Sequence, residues 1–276
     1  MKKGLILGCL LMLISSNTIT SCNSNKTFAN DKLVVGMECA YAPFNWTEYE
    51  ANDNTLPIDN VNGYADGYDI QIAKYLSQKL EIPVVIKKYE WEALLTGITI
   101  GDINCIIAGM SYSEERDLTI DFTNNYYTSQ MTVIVRKDST LANITNIQEL
   151  GGYKVVSQRA TLTDDIIDQI QNVNHQTPLD SFNVAALAVS SGTADAMTAE
   201  YPVARAIVNA NSNLTLVTFT KENGFTGLDD NELGVAVGIQ EGNKELQDKI
   251  NQALSELTEQ ERLNMMNAAI DRAPGE

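Results

Sequence analysis

Short apolar segments alternate with helical segments along most of this chain, and that alternation limits the possible folds most strongly. Leu33–Met37 is a β-branched apolar run, residues 84–87 are another, and between them Ile72, Leu76 and Leu80 recur at helical spacing. A strand, a helix and a second strand in this order form a βαβ unit with parallel strands. The sequence therefore predicts an α/β fold.

The alternation is interrupted at the polar residues 124–130, which we interpret as a crossover, and it restarts at Met131–Arg136. The restart predicts a second lobe. Its further predicted elements are strand 153–156, helices 163–171 and 182–191, strand 194–198, helix 201–210 and strand 214–219. The last predicted elements are strand 233–238 and helices 244–257 and 259–267. In the first lobe, residues 46–65 lack periodicity and are interpreted as a surface insertion.

The N-terminus has the pattern of an export signal. Two lysines precede an apolar run at residues 4–14, which is too short to span a bilayer. Residues 19–22 end in Cys22 and look like a bacterial lipobox, so we expect residues 1–21 to be a signal peptide and Cys22 to carry lipid. The polar residues 22–31 then form a linker, and the protein is anchored to the outer face of the cell membrane.

Charge and cysteine content exclude several function classes. With 19 basic and 36 acidic residues the net charge is −17, which argues against nucleic acid as a partner. Cys39 and Cys105 fall near opposite ends of predicted parallel strands, so we expect both to be free and mostly buried. No Cys/His cluster has metal-ligand spacing and His175 is expected in a loop, so the sequence predicts neither a metal nor a cofactor.

Residues 106–127 combine the end of a buried strand with a polar turn and one arginine. Residues 106–108 are apolar, Gly109 lets the backbone turn, and Ser113 precedes two acids as helix N-caps do. The amides of this turn and the guanidinium of Arg116 could bind a carboxylate. Alternatively, Arg116 pairs with a neighbouring acid on an exposed helix face.

The same stretch carries a resemblance to a known family. The pattern G-M-S-x-S-x-E-R followed by T-I-D-F-T-x-x-Y-Y resembles the carboxylate-binding segment of the extracellular solute-binding proteins of polar amino-acid ABC transporters. Residues 67–80 resemble the family signature, and the similarity runs from Leu33 to about Asn267. It implies two doubly wound α/β lobes joined by a two-strand hinge, with residues 32–128 and 222–276 in one lobe and 129–221 in the other.

The resemblance implies a role for each candidate site residue. Carboxylate binding falls on Gly109, Met110, Ser111 and Arg116 in the first lobe and on Gln158, Ala160 and Thr161 in the second. Glu200 would bind the α-ammonium group; without the resemblance, an N-terminal helix cap is the simpler reading of this residue. Family members usually have glycine where Arg159 stands and often a hydroxyl where Ala160 stands.

Three further residues would read the side chain of the amino acid. By resemblance Tyr41 and Trp91 form the two walls of a sandwich and Glu38 reads the far end, although a tryptophan in this position is as often a packing residue. A buried glutamate between aromatic rings favours lysine, arginine or histidine, with glutamine as the alternative. The predicted partners are a free amino acid and an ABC permease, and we expect a monomer.

Two other classes share this fold. Some members are enzymes, such as dehydratases, which would need an acid/base pair facing the cleft; Glu38 and Glu200 already have ligand roles, so we expect no enzyme. A sensory domain would be followed by a transmembrane or signalling segment, and we expect none after Glu276.

Overall fold

The computed structural model describes residues 32–229 and 232–274. The predicted signal peptide 1–21, the lipid site Cys22 and the linker 22–31 lie outside the described residues. No helix within the described part combines the length and the apolar character that crossing a membrane requires.

Two five-stranded mixed sheets and a smaller antiparallel sheet make up the β-structure. The first sheet contains, in spatial order, Val84–Lys88 (β6), Leu33–Met37 (β1), Cys105–Ile106 (β7), Gly234–Gln240 (β14) and Ile120–Thr128 (β8). The second contains Asn174–His175 (β11), Lys154–Val156 (β10), Ala196–Glu200 (β12), Met131–Arg136 (β9) and Leu214–Val217 (β13). The small sheet contains Ala40–Tyr41 (β2), Asn45–Glu48 (β3), Tyr64–Asp66 (β5) and Leu56–Pro57 (β4).

Eight α-helices cover these sheets within the described residues. They are Tyr68–Leu80 (α1), Leu94–Thr99 (α2), Glu114–Asp117 (α3), Leu162–Asp165 (α4), Phe182–Ser190 (α5), Tyr201–Ala210 (α6), Lys244–Ser255 (α7) and Glu259–Arg272 (α8). We call β1–β8, β14, α1–α3, α7 and α8 lobe 1, and β9–β13 with α4–α6 lobe 2. The chain passes to the second sheet between β8 and β9 and returns between β13 and β14.

Strand direction brings the strand ends of each lobe to one edge. β1 is parallel to β6 and β7, and β10 is parallel to β11 and β12, as βαβ units require. β14 and β9 are antiparallel to their neighbours, because the chain enters each sheet directly from the other lobe. The two-lobed α/β fold expected from the sequence is therefore confirmed.

The prediction of a crossover at residues 124–130 is wrong for most of that segment. β8 continues to Thr128 and pairs with β14, with register shifts on either side of Ala236. β8 is the edge strand of its sheet, so its polar side chains reach solvent while Thr123 and Tyr126 remain buried. Hydrophobic periodicity cannot detect such a strand.

Residues 46–65 are not an irregular surface insertion. They supply most of the small antiparallel sheet, and Trp46, Ile58 and Ala65 are buried in the core of lobe 1. These strands have two to four residues each, too few for alternation to be visible in the sequence.

Several predicted boundaries also need correction. The helix predicted at 163–171 is α4 followed by a 3₁₀ turn at Ile166–Gln169. Of residues 106–108, interpreted as the end of a buried strand, only Ile106 is paired in the sheet, although Ile107 and Ala108 are buried as well. The strand predicted at 194–198 lies at Ala196–Glu200, so Glu200 ends the strand rather than following it. His175 lies in β11 rather than in a loop.

Candidate functional site

The predicted site residues meet in a cavity between the two lobes. Its lining consists of Glu38, Tyr41, Trp91, Gly109, Ser111, Arg116, Gln158, Thr161, Leu162, Phe182 and Glu200. A larger groove beside it shares Tyr41 and Phe182 with the cavity, but its described lining lacks the charged residues Glu38, Arg116 and Glu200. We therefore place the candidate site in the smaller cavity.

A buried network holds the turn at Gly109. Its φ is +60°, and a Cβ atom there would lie 2.7 Å from Cε1 of Tyr41, so the backbone conformation and the packing both require glycine. The Gly109 N–H donates to the Tyr126 hydroxyl at 3.0 Å, and that hydroxyl donates to Asp69 Oδ1 at 2.8 Å. Asp69 accepts a second bond from Asn45 at 2.7 Å. Hydrogen bonds within lobe 1 thus fix the backbone of this turn.

Arg116 lies where the turn meets the opposite lobe. The Ser113 side chain caps α3 by accepting the Arg116 N–H at 3.2 Å, which confirms the predicted N-cap. Arg116 Nη1 donates to the Ser111 carbonyl at 2.7 Å, and Nη2 donates to the Ala160 carbonyl of lobe 2 at 2.9 Å. The guanidinium carbon lies 5.3 Å from the ring centroid of Trp91. Within the part of the chain that the structure describes, Arg116 forms no ion pair with an acid of its own helix, and its side chain faces the cleft, where it bonds the two carbonyls.

Glu200 is the acid that lobe 2 contributes. It ends β12 and is 8% exposed, and its side chain makes no capping bond to α6, contrary to the helix-cap alternative. Tyr41 of lobe 1 donates its hydroxyl to Glu200 Oε2 at 2.6 Å. Burial raises the pKa of Glu200, and the Tyr41 hydrogen bond opposes that shift.

Glu38 is the acid that lobe 1 contributes. It follows β1 and is 5% exposed, and Gln158 of lobe 2 donates to its Oε1 at 3.3 Å. Burial raises the pKa of Glu38 to about 7, with Gln158 acting in the opposite direction. The nearby charges of Glu90 and Lys88 act in opposite senses on the same pKa. This carboxyl therefore titrates near neutral pH.

The turn before α4 meets lobe 1 through its backbone. Ala160 has φ +57°, and its carbonyl accepts both Arg116 and, at 3.1 Å, the indole N–H of Trp91. The Thr161 hydroxyl donates to the Gln158 carbonyl at 2.7 Å and accepts the Asp164 N–H at 3.3 Å, so it caps α4. Trp91 begins a 3₁₀ turn and is partly exposed.

Two predicted residues do not line the cavity, and two lining residues were missed. Met110 is 2% exposed and its backbone carbonyl pairs with Ala236, whereas Ala160 contributes only backbone at the rim. Phe182, at the start of α5, and Leu162, at the start of α4, line the cavity without having been predicted. Both follow an N-cap residue at a helix start, and that pattern could have drawn attention to them.

The described residues contain no group of three or more His, Cys, Asp or Glu side chains that could hold a metal ion. Cys39 and Cys105 are both free and buried, as expected.

Two α/β lobes with charged groups facing a cleft between them define a two-lobed solute-binding protein. The family model of bacterial extracellular solute-binding proteins, family 3, matches residues 33–269. The chain therefore belongs to that family.

The chain is also similar to individual proteins that are described as amino-acid-binding proteins. The arginine-binding extracellular protein ArtP of Bacillus subtilis (strain 168) is 26% identical over 273 residues, covering 96% of this chain and 96% of that protein. A probable histidine-binding protein of Campylobacter jejuni is 28% identical over 77% of each chain. Among solved structures, an ancestral arginine-binding protein bound to glutamine has a TM-score of 0.69 and 26% identity, covering 90% of this chain and 100% of that chain.

Proposed function

We propose that this protein captures a free cationic amino acid outside the cell and delivers it to an ABC permease. The observation that carries the proposal is the charge of the cavity lining, where Arg116 faces two buried glutamates, Glu38 and Glu200. A cationic amino acid has one carboxylate and two cationic groups, so each charge meets an opposite one. A neutral amino acid leaves one buried glutamate without a charged partner, which is costly.

The α-carboxylate would lie against Arg116. The Arg116 guanidinium is already oriented by the Ser111 and Ala160 carbonyls, so little side-chain entropy of Arg116 is lost when the ligand binds. Ser111 and the backbone of the turn before α4 would complete this end. The Thr161 hydroxyl already donates to Gln158, so we assign the contact there to backbone N–H groups.

The ammonium group would bind Glu200, and the side-chain cation would bind Glu38. Tyr41 and Gln158 each occupy one oxygen of these carboxylates, which leaves the other oxygen for the ligand. Trp91 would cover the ligand from one side.

Binding would favour closure of the lobes, because Arg116 and Glu38 belong to lobe 1 and Glu200 belongs to lobe 2. Ligand contacts that need both lobes stabilise only the closed arrangement. We place the lobe boundaries at residues 128/129 and 221/222, where the two connecting segments would act as the hinge. A permease could then distinguish loaded protein by its closed form.

Glutamine is the second candidate. A Glu38 carboxyl that titrates near pH 7 can be present in its neutral form, and its oxygen can also accept an amide N–H. The solved structure of an ancestral arginine-binding protein bound to glutamine supports this second candidate.

The test is isothermal titration of purified protein, unfolded and refolded to remove carried-over ligand, against the twenty amino acids. The proposal expects the tightest binding for lysine, arginine or histidine. Strongest binding of glutamine would support the second candidate, and binding of no amino acid would refute both. Membership in a family of transport proteins supports a binding role, and we propose no catalytic one.

We also propose export and lipid anchoring through Cys22, with the protein acting as a monomer. Replacing Cys22 by serine should release the protein from the membrane fraction into the medium of expressing cells. Retention of that variant in the membrane would contradict the anchor. Light scattering of the purified protein measures its molar mass, which should be that of a single chain.

A further inference from the structure

The ring of Tyr41 packs against two other aromatic rings, one from each lobe. Phe44 stacks on it with centroids 5.2 Å apart and an interplanar angle of 18°, and Phe182 of lobe 2 lies 4.8 Å away at 32°. Tyr41 is 5% exposed. Aromatic neighbours from both lobes thus hold the ring, and Tyr41 also lines the cavity.

The hydroxyl of the same residue has a defined partner. It donates to Glu200 Oε2 at 2.6 Å, across the cleft and over 159 positions of sequence. Among the described residues Tyr41 provides the only side-chain hydrogen bond to this carboxylate, since Arg116 bonds two carbonyls instead. Phe44 and Phe182 pack against the ring, so the position of the hydroxyl is fixed as well.

We propose that Tyr41 is a positioning residue, whose hydroxyl orients the Glu200 carboxylate toward the α-ammonium group of the ligand. The inference rests on the proposed function and deepens it. A hydrogen bond to one carboxylate oxygen leaves the second oxygen turned toward the cavity. The aromatic stack holds the hydroxyl in place.

The same bond opposes the rise in the pKa of Glu200 that burial causes. Burial favours the neutral acid, whereas a donated hydrogen bond favours the carboxylate. The other charged groups that act on this pair are Arg116, which also lowers the pKa of Glu200, and Glu38 and Asp69, which lie on the Tyr41 side. Removing the hydroxyl should therefore raise the pKa of Glu200 further and weaken binding most at low pH.

Tyr41→Phe tests this directly, because it keeps the ring and removes only the hydroxyl. We expect its dissociation constant for the preferred amino acid to rise on the order of tenfold near pH 6, since hydrogen bonds to charged groups are the strong ones. The ratio of variant to wild-type dissociation constants should fall as the pH rises from 5.5 to 8.5. Glu38 titrates in both proteins, so the ratio isolates Glu200.

A double-mutant cycle identifies the residue through which Tyr41 acts. In a Glu200→Gln background, Tyr41→Phe should cause little further loss. Tyr75→Phe is the matched control, because it removes a 2.8 Å hydroxyl bond to the Ala253 carbonyl away from the cavity and should leave affinity unchanged. Circular dichroism and thermal unfolding establish that every variant is folded.

Two results would overturn the inference alone. One is a Tyr41→Phe variant that binds like wild type at every pH, which would return Tyr41 to the wall role. The other is an equal loss with and without Glu200. A wild-type protein that binds no amino acid would instead overturn the proposed function, and this inference with it.

Discussion

The carboxylate of Asp69 accepts the Tyr126 hydroxyl at 2.8 Å, with both residues fully buried in lobe 1. The two residues lie 57 positions apart, on α1 and β8. Because Tyr126 also accepts the Gly109 N–H, the pair connects the first helix of the lobe to the turn that carries Ser111. The helix start in the family-like segment 67–80 therefore supports the site without touching the cavity.

Replacing Tyr126 by phenylalanine should destabilise the protein by about 2 kcal/mol. The change removes one donor from a buried carboxyl and leaves the Gly109 N–H without its acceptor, and each loss is costly in the interior. Urea unfolding at pH 7 measures the free energy of unfolding. Tyr49→Phe is the control, because Tyr49 is 84% exposed, and its effect should stay below about 0.5 kcal/mol. Equal stability of the two variants would show that the network contributes little.

The features that were predicted correctly from the sequence are those set by residues close together in the chain. The strand Leu33–Met37, the Ser113 cap and the glycine turn depend on residues close in sequence, and the structure has all three. The polar edge strand β8 was missed because pairing with β14, rather than its own composition, makes it a strand. Propensity and periodicity carry no information about such partners.

In the candidate site, too, contacts between residues far apart in the sequence were not predicted. The resemblance brought Arg116, Glu200 and Glu38 to one cavity, but it did not predict that Phe182 covers Tyr41 or that Tyr41 donates to Glu200. Those contacts join residues of different lobes. They depend on how the lobes face one another, which no segment encodes by itself.

Binding of a cationic amino acid should weaken as the pH falls through about 7. The proposal needs Glu38 ionised, and burial raises the pKa of Glu38 to about 7, so protonation removes the charge that attracts the ligand. Bound cation lowers that pKa in turn, so affinity is expected to drop by up to tenfold per pH unit below it. Titrations with arginine from pH 5 to 8 measure the slope.

Glu38→Gln is the matched control for that slope. It should bind arginine weakly with a much shallower pH dependence, and its preference should move toward glutamine. A wild-type affinity for arginine that is constant from pH 5 to 8 would contradict an ionised Glu38 as the side-chain reader.

The same residue should affect stability without ligand. The pKa of Glu38 is higher in the folded protein, about 7 against 4.5, so the folded state binds the proton more tightly. The contribution of Glu38 to stability is then fully present below about pH 4.5 and is lost as the pH rises through 7. Comparing urea unfolding of Glu38→Gln and wild type at pH 5 and 8 should show a larger relative gain for the variant at pH 8. A stability difference that is independent of pH would contradict the shift.

Replacing Arg116 by alanine should abolish binding of every amino acid. Among the described residues its guanidinium is the one cation that lines the cavity, and loss of a charge-assisted contact to the carboxylate should weaken affinity at least ~100-fold. Because all amino acids share the α-carboxylate, the loss should not depend on the side chain. Isothermal titration with arginine, lysine and glutamine measures it, and a loss confined to one of these ligands would contradict the assigned role.

Arg159 should slow ligand release. Arg159 Nη1 lies 3.3 Å from Glu92 of lobe 1, while Nη2 lies 2.7 Å from Asp180 of its own lobe. The first pair spans the cleft and so stabilises only the closed arrangement. All three side chains are substantially exposed, so the pair should contribute less than about 1 kcal/mol and be screened by salt. We expect Arg159→Gln to raise the dissociation constant of every ligand by about two- to fivefold at low salt, mainly through faster release measured by stopped-flow fluorescence.

Glu92→Gln should have a similar effect and should add little to Arg159→Gln, whereas Asp180→Asn, which leaves the cross-cleft pair in place, should have less. At about 0.5 M salt the difference between Arg159→Gln and wild type should disappear, and a difference that persists there would show that Arg159 acts through something other than this ion pair.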